Sequence, residues 1–144
     1  MGTNDLAREL HVQISPSRAA LQTSLQLCLL AARTHGKVIV DGVYNDVRNL
    51  DGFSAECRQG AELGFDGKTL IHPSQIEPCN QVFSPSEREL TEAREIVAAF
   101  EAAVREGKGV ITVGGRMIEN LHVDHARRIL RMAELLARRA PSAG

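Results

Sequence analysis

Apolar residues recur at helical spacing in four stretches of this chain. They are residues 15–36, 51–64, 84–107 and 121–138. Apolar positions three and four apart fall on one face of an α-helix, so each stretch predicts an amphipathic helix. Asp51 is placed to act as the N-cap of the second helix. Ser84, Pro85 and Glu87 predict a capping box with proline at the first helical position of the third.

Two short apolar runs lie between the predicted helices, KVIVD at residues 37–41 and KTLI at residues 68–71. Each run is too short for a helix and is apolar on both sides, which is typical of a strand buried on both faces. The runs start about 30 residues apart, the length of one βα unit. The pattern therefore predicts an α/β fold with a parallel sheet.

A hairpin is predicted near the carboxyl end of the chain. Residues 110–113 and 116–118 flank Gly114 and Gly115. A pair of glycines suits a two-residue turn, because both central residues of such a turn often need a positive φ. Together with the last helix, the hairpin predicts a hairpin and helix extension over residues 108–144, distinct from residues 1–107.

Composition and charge exclude several classes of protein. Lys and Arg number 17 and Asp and Glu number 18, for a net charge of -1, so no overall positive field would attract nucleic acid or an anionic membrane. Aromatic residues make up 3% with no Trp, which removes the stacking surface of a single-strand nucleic-acid binder. No apolar run approaches the roughly 20 residues of a membrane span, and no secretory signal is visible, so a cytoplasmic location is expected.

The three cysteines, Cys28, Cys57 and Cys79, are widely spaced and form no CxxC pair. Neither a disulfide framework nor a zinc site is indicated by this spacing. A role as small buried apolar side chains is the better interpretation.

Several motifs follow one another in a fixed order along the chain. The main stretch is VDGVYNDVRNLDGFSAECRQGAELGFDGKTLIHPSQIEPCNQVFSPSERE at residues 40–89, with GTNDL at residues 2–6 and MIENLHVDHARRIL at residues 117–130. In order and spacing these motifs resemble those of the HpcH/HpaI aldolase and citrate lyase superfamily, in particular the citrate lyase β-subunit-like and malyl-CoA lyase branch. The resemblance extends over nearly the whole chain.

The resemblance implies the carboxyl-terminal part of a TIM (β/α)8 barrel. Strands six, seven and eight would end near Asp5, Asp41 and His72, and residues 1–107 would form this partial barrel. Ligands of such barrels bind at the carboxyl ends of the strands. Two or three parallel strands cannot close a barrel, so we expect the chain to begin in mid-barrel, with the remaining strands supplied upstream or by a partner.

The resemblance also implies a magnesium-dependent carbon-carbon lyase that cleaves a hydroxyacyl-CoA such as malyl-CoA, citramalyl-CoA or a citryl thioester. Asp5 occupies the family's metal-ligand position, and carboxylate oxygen is a preferred ligand of Mg²⁺. The alternative is that Asp5 only caps the following turn. The second metal carboxylate and the substrate-binding arginine of the family have no counterpart here.

Glu119 aligns with an aspartate of the family that reaches into a neighbouring subunit and helps with proton transfer at the acyl-CoA carbon. The resemblance therefore implies a catalytic acid/base role for Glu119 and a homo-oligomer. The sequence departs from the family pattern here, with Glu for Asp and with Leu121 where proline often stands. The alternative is a glutamate that faces solvent or caps the turn after the hairpin.

Four further residues are candidates for substrate binding: Asn4, Asp41, Tyr44 and His72. Asn4 lies in the GTNDL motif, and Asp41 and Tyr44 lie where the first predicted strand ends, although Asp is also common in turns. His72 ends the second predicted strand, and its alternative role is to fix the following turn through a hydrogen bond. Lys68 opens that strand, so we expect it on the opposite face of the barrel, with a role in stability.

The expected function is therefore the lyase reaction, with an acyl-CoA thioester as substrate and Mg²⁺ as cofactor. Residues 1–144 on their own are expected to have little or no turnover, since most of the barrel lies outside them. The alternative is a catalytically inactive oligomerisation or regulatory module derived from such a lyase. A stable oligomer that is insensitive to Mg²⁺ would favour the alternative.

Overall fold

A computed structural model describes residues 1–107 and 111–139 of the chain. Its helices are α1 (Thr3–Glu9), α2 (Gln22–Thr34), α3 (Leu50–Leu63), α4 (Ile76–Phe83), α5 (Glu87–Arg105) and α6 (Asn120–Arg139), with short 3-10 helices at Ala19–Leu21 and Pro73–Gln75 and strands β1 (Ile111–Val113) and β2 (Arg116–Ile118). The contacts divide the chain into a first unit, Met1–Phe83, and a second unit, Ser84–Gly144. This division differs from the boundary at residues 107 and 108, which stays a prediction.

The helices of the first unit confirm the periodicity, but their starts differ from those predicted. α2 begins only after the 3-10 helix, which Arg18 precedes in a left-handed conformation with φ of 51°. The N-cap of α3 is Asn49, whose side chain accepts a hydrogen bond from the Gly52 amide, so Asp51 lies within the first turn. Gly64 ends α3 with φ of 103°, a conformation that favours glycine.

The GTNDL motif was expected to end a strand. Its residues instead form the start and first turn of α1. Gly2 is the N-cap residue, and Asp5 lies in the first turn of the helix. The backbone hydrogen bonding of this turn is local, because the Leu6 amide donates to the Gly2 carbonyl at 3.0 Å. A negative side chain in this position also interacts favourably with the helix dipole.

The two predicted strands of the first unit are extended segments that pair at a single parallel bridge, between Asp41 and Lys68. The Asp41 amide donates to the Gly67 carbonyl at 2.9 Å, and the Thr69 amide donates to the Asp41 carbonyl at 3.0 Å. The parallel direction is as predicted, whereas regular strands are not present at residues 37–41 and 68–71. A longer strand needs hydrogen bonds to a neighbouring strand along its whole length. These two short segments form only one bridge with each other.

The core of the first unit consists of two clusters. One contains Ala7, Leu21, Leu25, Leu29 and Phe65. The other contains Phe53, Cys57 and Cys79 and joins α3 to α4. Cys57 and Cys79 are buried, as predicted for all three cysteines, whereas Cys28 is only half-buried.

The second unit is built from α5, the hairpin and α6. Ser86 is the N-cap of α5 and forms a capping box with Glu89, so the capping box expected from Ser84 and Glu87 lies two residues too early. The hairpin is confirmed: β1 and β2 are antiparallel around Gly114 and Gly115, and its expected first residue, Val110, lies outside the described residues. α5 and α6 pack on each other.

Within residues 1–107 and 111–139, no helix is long and apolar enough to cross a membrane.

Candidate functional site

The start of α1 at residues 2–5 and two loops, residues 42–46 and 71–75, meet at one edge of the first unit, which we call the loop edge. The bridge between Asp41 and Lys68 is parallel, so the loops that follow both extended segments emerge on the same side. The Met1 ammonium group donates to the Val40 carbonyl at 2.8 Å, which fixes the start of α1 beside the first segment. The carboxyl ends of parallel segments are where α/β barrels bind ligands.

Asn4 and Asn45 join α1 to the loop at residues 42–46. Each side-chain amide donates to the other's carbonyl oxygen, at 3.0 Å and 2.9 Å. Both residues are exposed, so each amide keeps a further N–H and a lone pair for another partner. Asn4 is thus held beside Asn45, and substrate binding by Asn4 stays a prediction.

Gln75 joins the two loops of the loop edge and was given no role from the sequence. Its side chain is fully buried, donates to the Tyr44 carbonyl at 3.1 Å and accepts from the Ile71 amide at 3.0 Å. A buried amide must satisfy both its donor and its acceptor, and here it does so by fixing two loops. The signal in the sequence is a glutamine two residues after the His72-Pro73 pair.

His72 is exposed and forms the N-cap of the 3-10 helix at Pro73–Gln75. Its Nδ1 accepts from the Ser74 amide at 3.2 Å and lies 2.8 Å from the Ser74 hydroxyl. This contact corresponds to the turn-fixing alternative. Because Nδ1 accepts from the Ser74 amide, the neutral ring carries its proton on Nε2, and substrate binding by His72 stays a prediction.

Asp5 is exposed in the first turn of α1 at the loop edge. Among the described residues no group of three His, Cys, Asp or Glu side chains is arranged to hold a metal ion. Mg²⁺ commonly binds through one or two carboxylates together with water and substrate oxygens. A role of Asp5 as a metal ligand stays a prediction.

Tyr44 lies between the loop edge and the helices. Its ring packs edge-on against Phe53, with 5.9 Å between centroids. Burial raises the pKa of the Tyr44 hydroxyl above its usual value, and the carboxylates of Asp46 and Glu56 raise it further. The hydroxyl therefore stays protonated and can donate a hydrogen bond.

Asp41 belongs to a buried ion network beneath the loop edge. Nη1 of Arg18 donates to both carboxylate oxygens at 2.8 Å and 2.7 Å, and Nζ of Lys68 donates at 3.2 Å. The Gly42 amide donates to the same carboxylate at 2.7 Å. Asp41 is fully buried, so its carboxylate is engaged by the protein itself, and substrate binding by Asp41 stays a prediction.

The network also contains Glu56, whose Oε1 accepts from Lys68 at 2.6 Å and lies 3.6 Å from Nη1 of Arg18. The ammonium group of Lys68 thus lies beside Asp41 in the buried network, and its place on the opposite face of the barrel stays a prediction. Arg18 and Glu56 were not predicted. The signal for Glu56 is its place between Phe53, Cys57 and Gly60 on the apolar side of α3, where an unpaired charge would be costly.

Glu119 lies in the second unit, between β2 and α6, and is exposed. Its backbone amide donates to Nδ1 of His122 at 3.0 Å, which caps the turn. His122 therefore supplies the capping contact, and no capping contact of the Glu119 carboxylate is seen in the described part of the chain. A role in proton transfer stays a prediction.

The chain is similar to several proteins that act on CoA esters or belong to citrate lyase. It is 58% identical over 137 residues to a (3S)-malyl-CoA thioesterase of Cereibacter sphaeroides, covering 95% of this chain and 48% of that protein. It is 40% identical over 135 residues to the citrate lyase subunit beta of Escherichia coli, covering 94% and 45%. An L-malyl-CoA/beta-methylmalyl-CoA lyase of Cereibacter sphaeroides is 44% identical over 107 residues, covering 74% and 34%.

A solved structure shows the same fold. It is the protein CitE from Mycobacterium tuberculosis in complex with magnesium, acetoacetate and coenzyme A, with a TM-score of 0.73, 32% identity, and coverage of 92% of this chain and 50% of that one. The fold is therefore that of citrate lyase-type barrel enzymes, while the assignment to strands six to eight stays a prediction. The chain spans about half the length of the curated relatives it matches most extensively.

A family model described as HpcH/HpaI aldolase/citrate lyase matches residues 1–73, about half of this chain. The matched residues include the GTNDL motif and His72, which lie at the loop edge, and the ion network, which lies beneath it. The resemblance inferred from the motifs is thereby confirmed, and the chain belongs to the HpcH/HpaI aldolase/citrate lyase family.

Proposed function

We propose that this chain forms part of an enzyme that hydrolyses a malyl-CoA type thioester. The proposal is supported by the 58% identity to a (3S)-malyl-CoA thioesterase over 95% of the chain. Identity to the relatives named as a lyase or a lyase subunit is lower, at 44% and 40%. The chain spans about half of these relatives, so the activity, the substrate and the partners are all proposals.

The observation that carries the proposal is the pairing of Asn4 with Asn45. These two hydrogen bonds bring the turn that contains Asp5 next to the loop that contains Tyr44. The carboxylate of Asp5 and two side-chain amides are thus gathered at one edge. The polar hydroxy acid end of a malyl-CoA type substrate needs such donors and acceptors, and His72 at the same edge adds an Nε2 donor.

Asp5 is proposed as one ligand of Mg²⁺, with the remaining ligands coming from outside the described residues. Mg²⁺ would supply a hard cation for the carboxylate and hydroxyl oxygens of the substrate. Replacing Asp5 by Asn is expected to weaken Mg²⁺ binding in a calorimetric titration. Glu9→Gln is the matched control, because Glu9 is an exposed carboxylate at the other end of α1.

Hydrolysis adds a water oxygen to the thioester carbonyl carbon and breaks its bond to sulfur, so that CoA leaves as a thiol and malate remains. The second candidate is the carbon-carbon cleavage predicted from the motifs, and the similarity to a malyl-CoA lyase favours it. In that reaction the hydroxyl proton is removed, the carbon-carbon bond breaks, and glyoxylate leaves. The acetyl-CoA enolate then takes up a proton.

Glu119 is proposed as the acid/base residue, acting across an interface in a homo-oligomer. A carboxyl group can deliver the proton to the enolate carbon in cleavage or accept one from water in hydrolysis. Glu119→Gln is expected to reduce turnover by about 10²-fold or more. Glu134→Gln, an exposed carboxylate on α6, is the matched control and should leave turnover unchanged.

The test uses the polypeptide as isolated from its own cells, incubated with malyl-CoA with and without Mg²⁺. Free thiol and glyoxylate are measured in parallel. Thiol and malate without glyoxylate indicate hydrolysis, whereas glyoxylate and acetyl-CoA without thiol indicate cleavage. Release of neither product would refute both candidates and favour the inactive module.

A further inference from the structure

Two of the three cysteines lie together in the first unit and have no role in the proposed function. Cys57 on α3 and Cys79 on α4 belong to one buried cluster with Phe53. Cys57 is 0% exposed and Cys79 is 7% exposed, and both are free thiols. Two thiols that pack in one cluster can be joined by a disulfide bond, provided that small shifts bring their sulfur atoms to about 2 Å.

The two thiols interact with each other as hydrogen-bond donor and acceptor. Burial, together with the charge of Cys79 and a hydrogen bond to it, raises the pKa of Cys57 to about 12. Burial also raises the pKa of Cys79, whereas hydrogen bonds from Cys57 and from the Lys68 backbone amide lower it. Cys57 is therefore the donor, and the sulfur of Cys79 is the acceptor that ionises first.

These different surroundings give the two thiols different roles in an oxidation. The thiolate is the nucleophilic form of cysteine, and the hydrogen bonds that Cys79 receives favour that form. Cys57 has no exposed surface, so an oxidant that enters from solvent meets Cys79 first. An attacking cysteine next to a resolving cysteine is the arrangement found in redox-sensitive proteins.

We propose that Cys57 and Cys79 are a redox-active pair, which hydrogen peroxide oxidises to a disulfide bond between α3 and α4. The thiolate of Cys79 attacks one oxygen of the peroxide and breaks its oxygen-oxygen bond. Cys79 becomes a sulfenic acid, and the other oxygen leaves as water with the proton that the thiol had lost. Burial makes this step slower than the oxidation of an exposed thiol.

The sulfur of Cys57 then attacks the sulfur of Cys79. The sulfur-sulfur bond forms, the bond from Cys79 to oxygen breaks, and the hydroxyl group leaves as a second water with the proton of Cys57. In total, two thiols lose two electrons and two protons, and one peroxide is reduced to two water molecules. The reaction uses neither malyl-CoA nor Mg²⁺, so it can be tested independently of the proposed function.

The test treats the folded full chain with excess hydrogen peroxide, removes the peroxide with catalase and blocks the remaining thiols by alkylation. The background is Cys28→Ser, because the half-buried Cys28 could otherwise link two copies of the chain. Mass spectrometry of unreduced peptides should find Cys57 and Cys79 cross-linked, two hydrogens lighter than the reduced pair. Unchanged thiols, or sulfinic and sulfonic acids without the cross-link, would overturn the proposal.

The stability of the oxidised chain gives a second measurement. A disulfide that closes residues 57–79 into a loop is expected to lower the unfolding equilibrium constant by roughly 10²-fold, through its constraint on the unfolded chain. Urea unfolding before and after treatment measures this change, and dithiothreitol should reverse it. An oxidised chain that is no more stable than the reduced chain would contradict a disulfide that fits the native packing.

Two further variants in the same background test the order of the steps. Cys57→Ser removes the resolving thiol, so Cys79 should remain a sulfenic acid that dimedone labels. Cys79→Ser removes the attacking thiol, so Cys57 should stay unlabelled. Any other labelling pattern would overturn the assignment of Cys79 as the attacking thiol. The cross-linking test retains both cysteines and does not depend on the folding of these variants.

Discussion

Replacing Lys68 by Met should strongly destabilise the first unit. The Nζ atom of Lys68 lies 2.6 Å from Glu56 and 3.2 Å from Asp41, and the side chains of Lys68 and Asp41 are fully buried. Met keeps the length of the side chain but removes its charge. Asp41 and Glu56 would then share Arg18 as their one remaining cation, which leaves one buried negative charge uncompensated.

The size of the effect follows from the competition between attraction and desolvation. Two unit charges about 3 Å apart attract by roughly 5 kcal/mol at an effective dielectric constant near 20, before desolvation is subtracted. Removal of one partner of a buried ion pair costs about 3–5 kcal/mol, because the other partner stays buried without its counter-charge. We expect Lys68→Met to lower the free energy of unfolding by about that amount.

Urea unfolding followed by tyrosine fluorescence measures this change in the first unit. The chain has one tyrosine and no tryptophan, and Tyr44 packs against Phe53 in that unit. Arg8→Met is the matched control: its 2.9 Å pair with Glu9 is of similar length, but the side chains are 73% and 71% exposed. An exposed pair contributes about 0–1 kcal/mol.

The double variant Lys68→Met/Glu56→Leu separates this explanation from a loss of packing. It removes one charge of each sign, so the network stays balanced, and it should recover part of the stability lost in the single variant. The reasoning would be refuted if Lys68→Met changed the unfolding free energy no more than Arg8→Met does, or if the double variant lost the full sum of both single effects.

Four further predictions concern single features. Ser86→Ala should destabilise the second unit by about 1 kcal/mol through loss of the N-cap of α5, measured by urea unfolding followed by circular dichroism. The hydrogen bonds from Ser86 lower the pKa of Glu89. The ionised Glu89 carboxylate therefore stabilises the second unit above the ordinary glutamate pKa, and this stabilisation is lost as pH falls through the lowered pKa. Glu89→Gln should remove this pH dependence of the unfolding free energy. Burial raises the pKa of the Cys57 thiol to about 12. A thiol reagent at pH 8 should therefore label the half-buried Cys28 well before Cys57. Equal labelling rates of the two cysteines would contradict this prediction. Gly64→Ala should cost about 1 kcal/mol, measured by urea unfolding, because φ of 103° is strained for any residue with a Cβ atom.

Helix positions were predictable because they depend on local periodicity. The stretches at residues 51–64 and 121–138 became α3 and α6 within a residue or two. The caps were less predictable: Asn49 and Ser86 compete with nearby Asp51 and Ser84, and the choice depends on which side chain reaches a free amide. The hairpin was predictable because two glycines in succession leave few other turns.

The strands and the GTNDL motif were not predicted correctly, because strand structure depends on neighbours. The apolar runs at residues 37–41 and 68–71 have strand composition, yet a strand forms only where a partner offers a ladder of hydrogen bonds. Asp5, expected at a strand end, lies instead in the first turn of α1. The local sequence around it satisfies its backbone in a helix, which needs no neighbour.

The sequence alone determined the family, the helices and the hairpin, since motif order and periodicity are local properties of the sequence. Only the tertiary structure decided the partners of the charged and polar side chains. Arg18 is 23 residues from Asp41, and Lys68 is 27 residues from it, and no spacing rule joins them. Electrostatic and hydrogen-bond energies depend on distance in space and on burial, and the fold sets both.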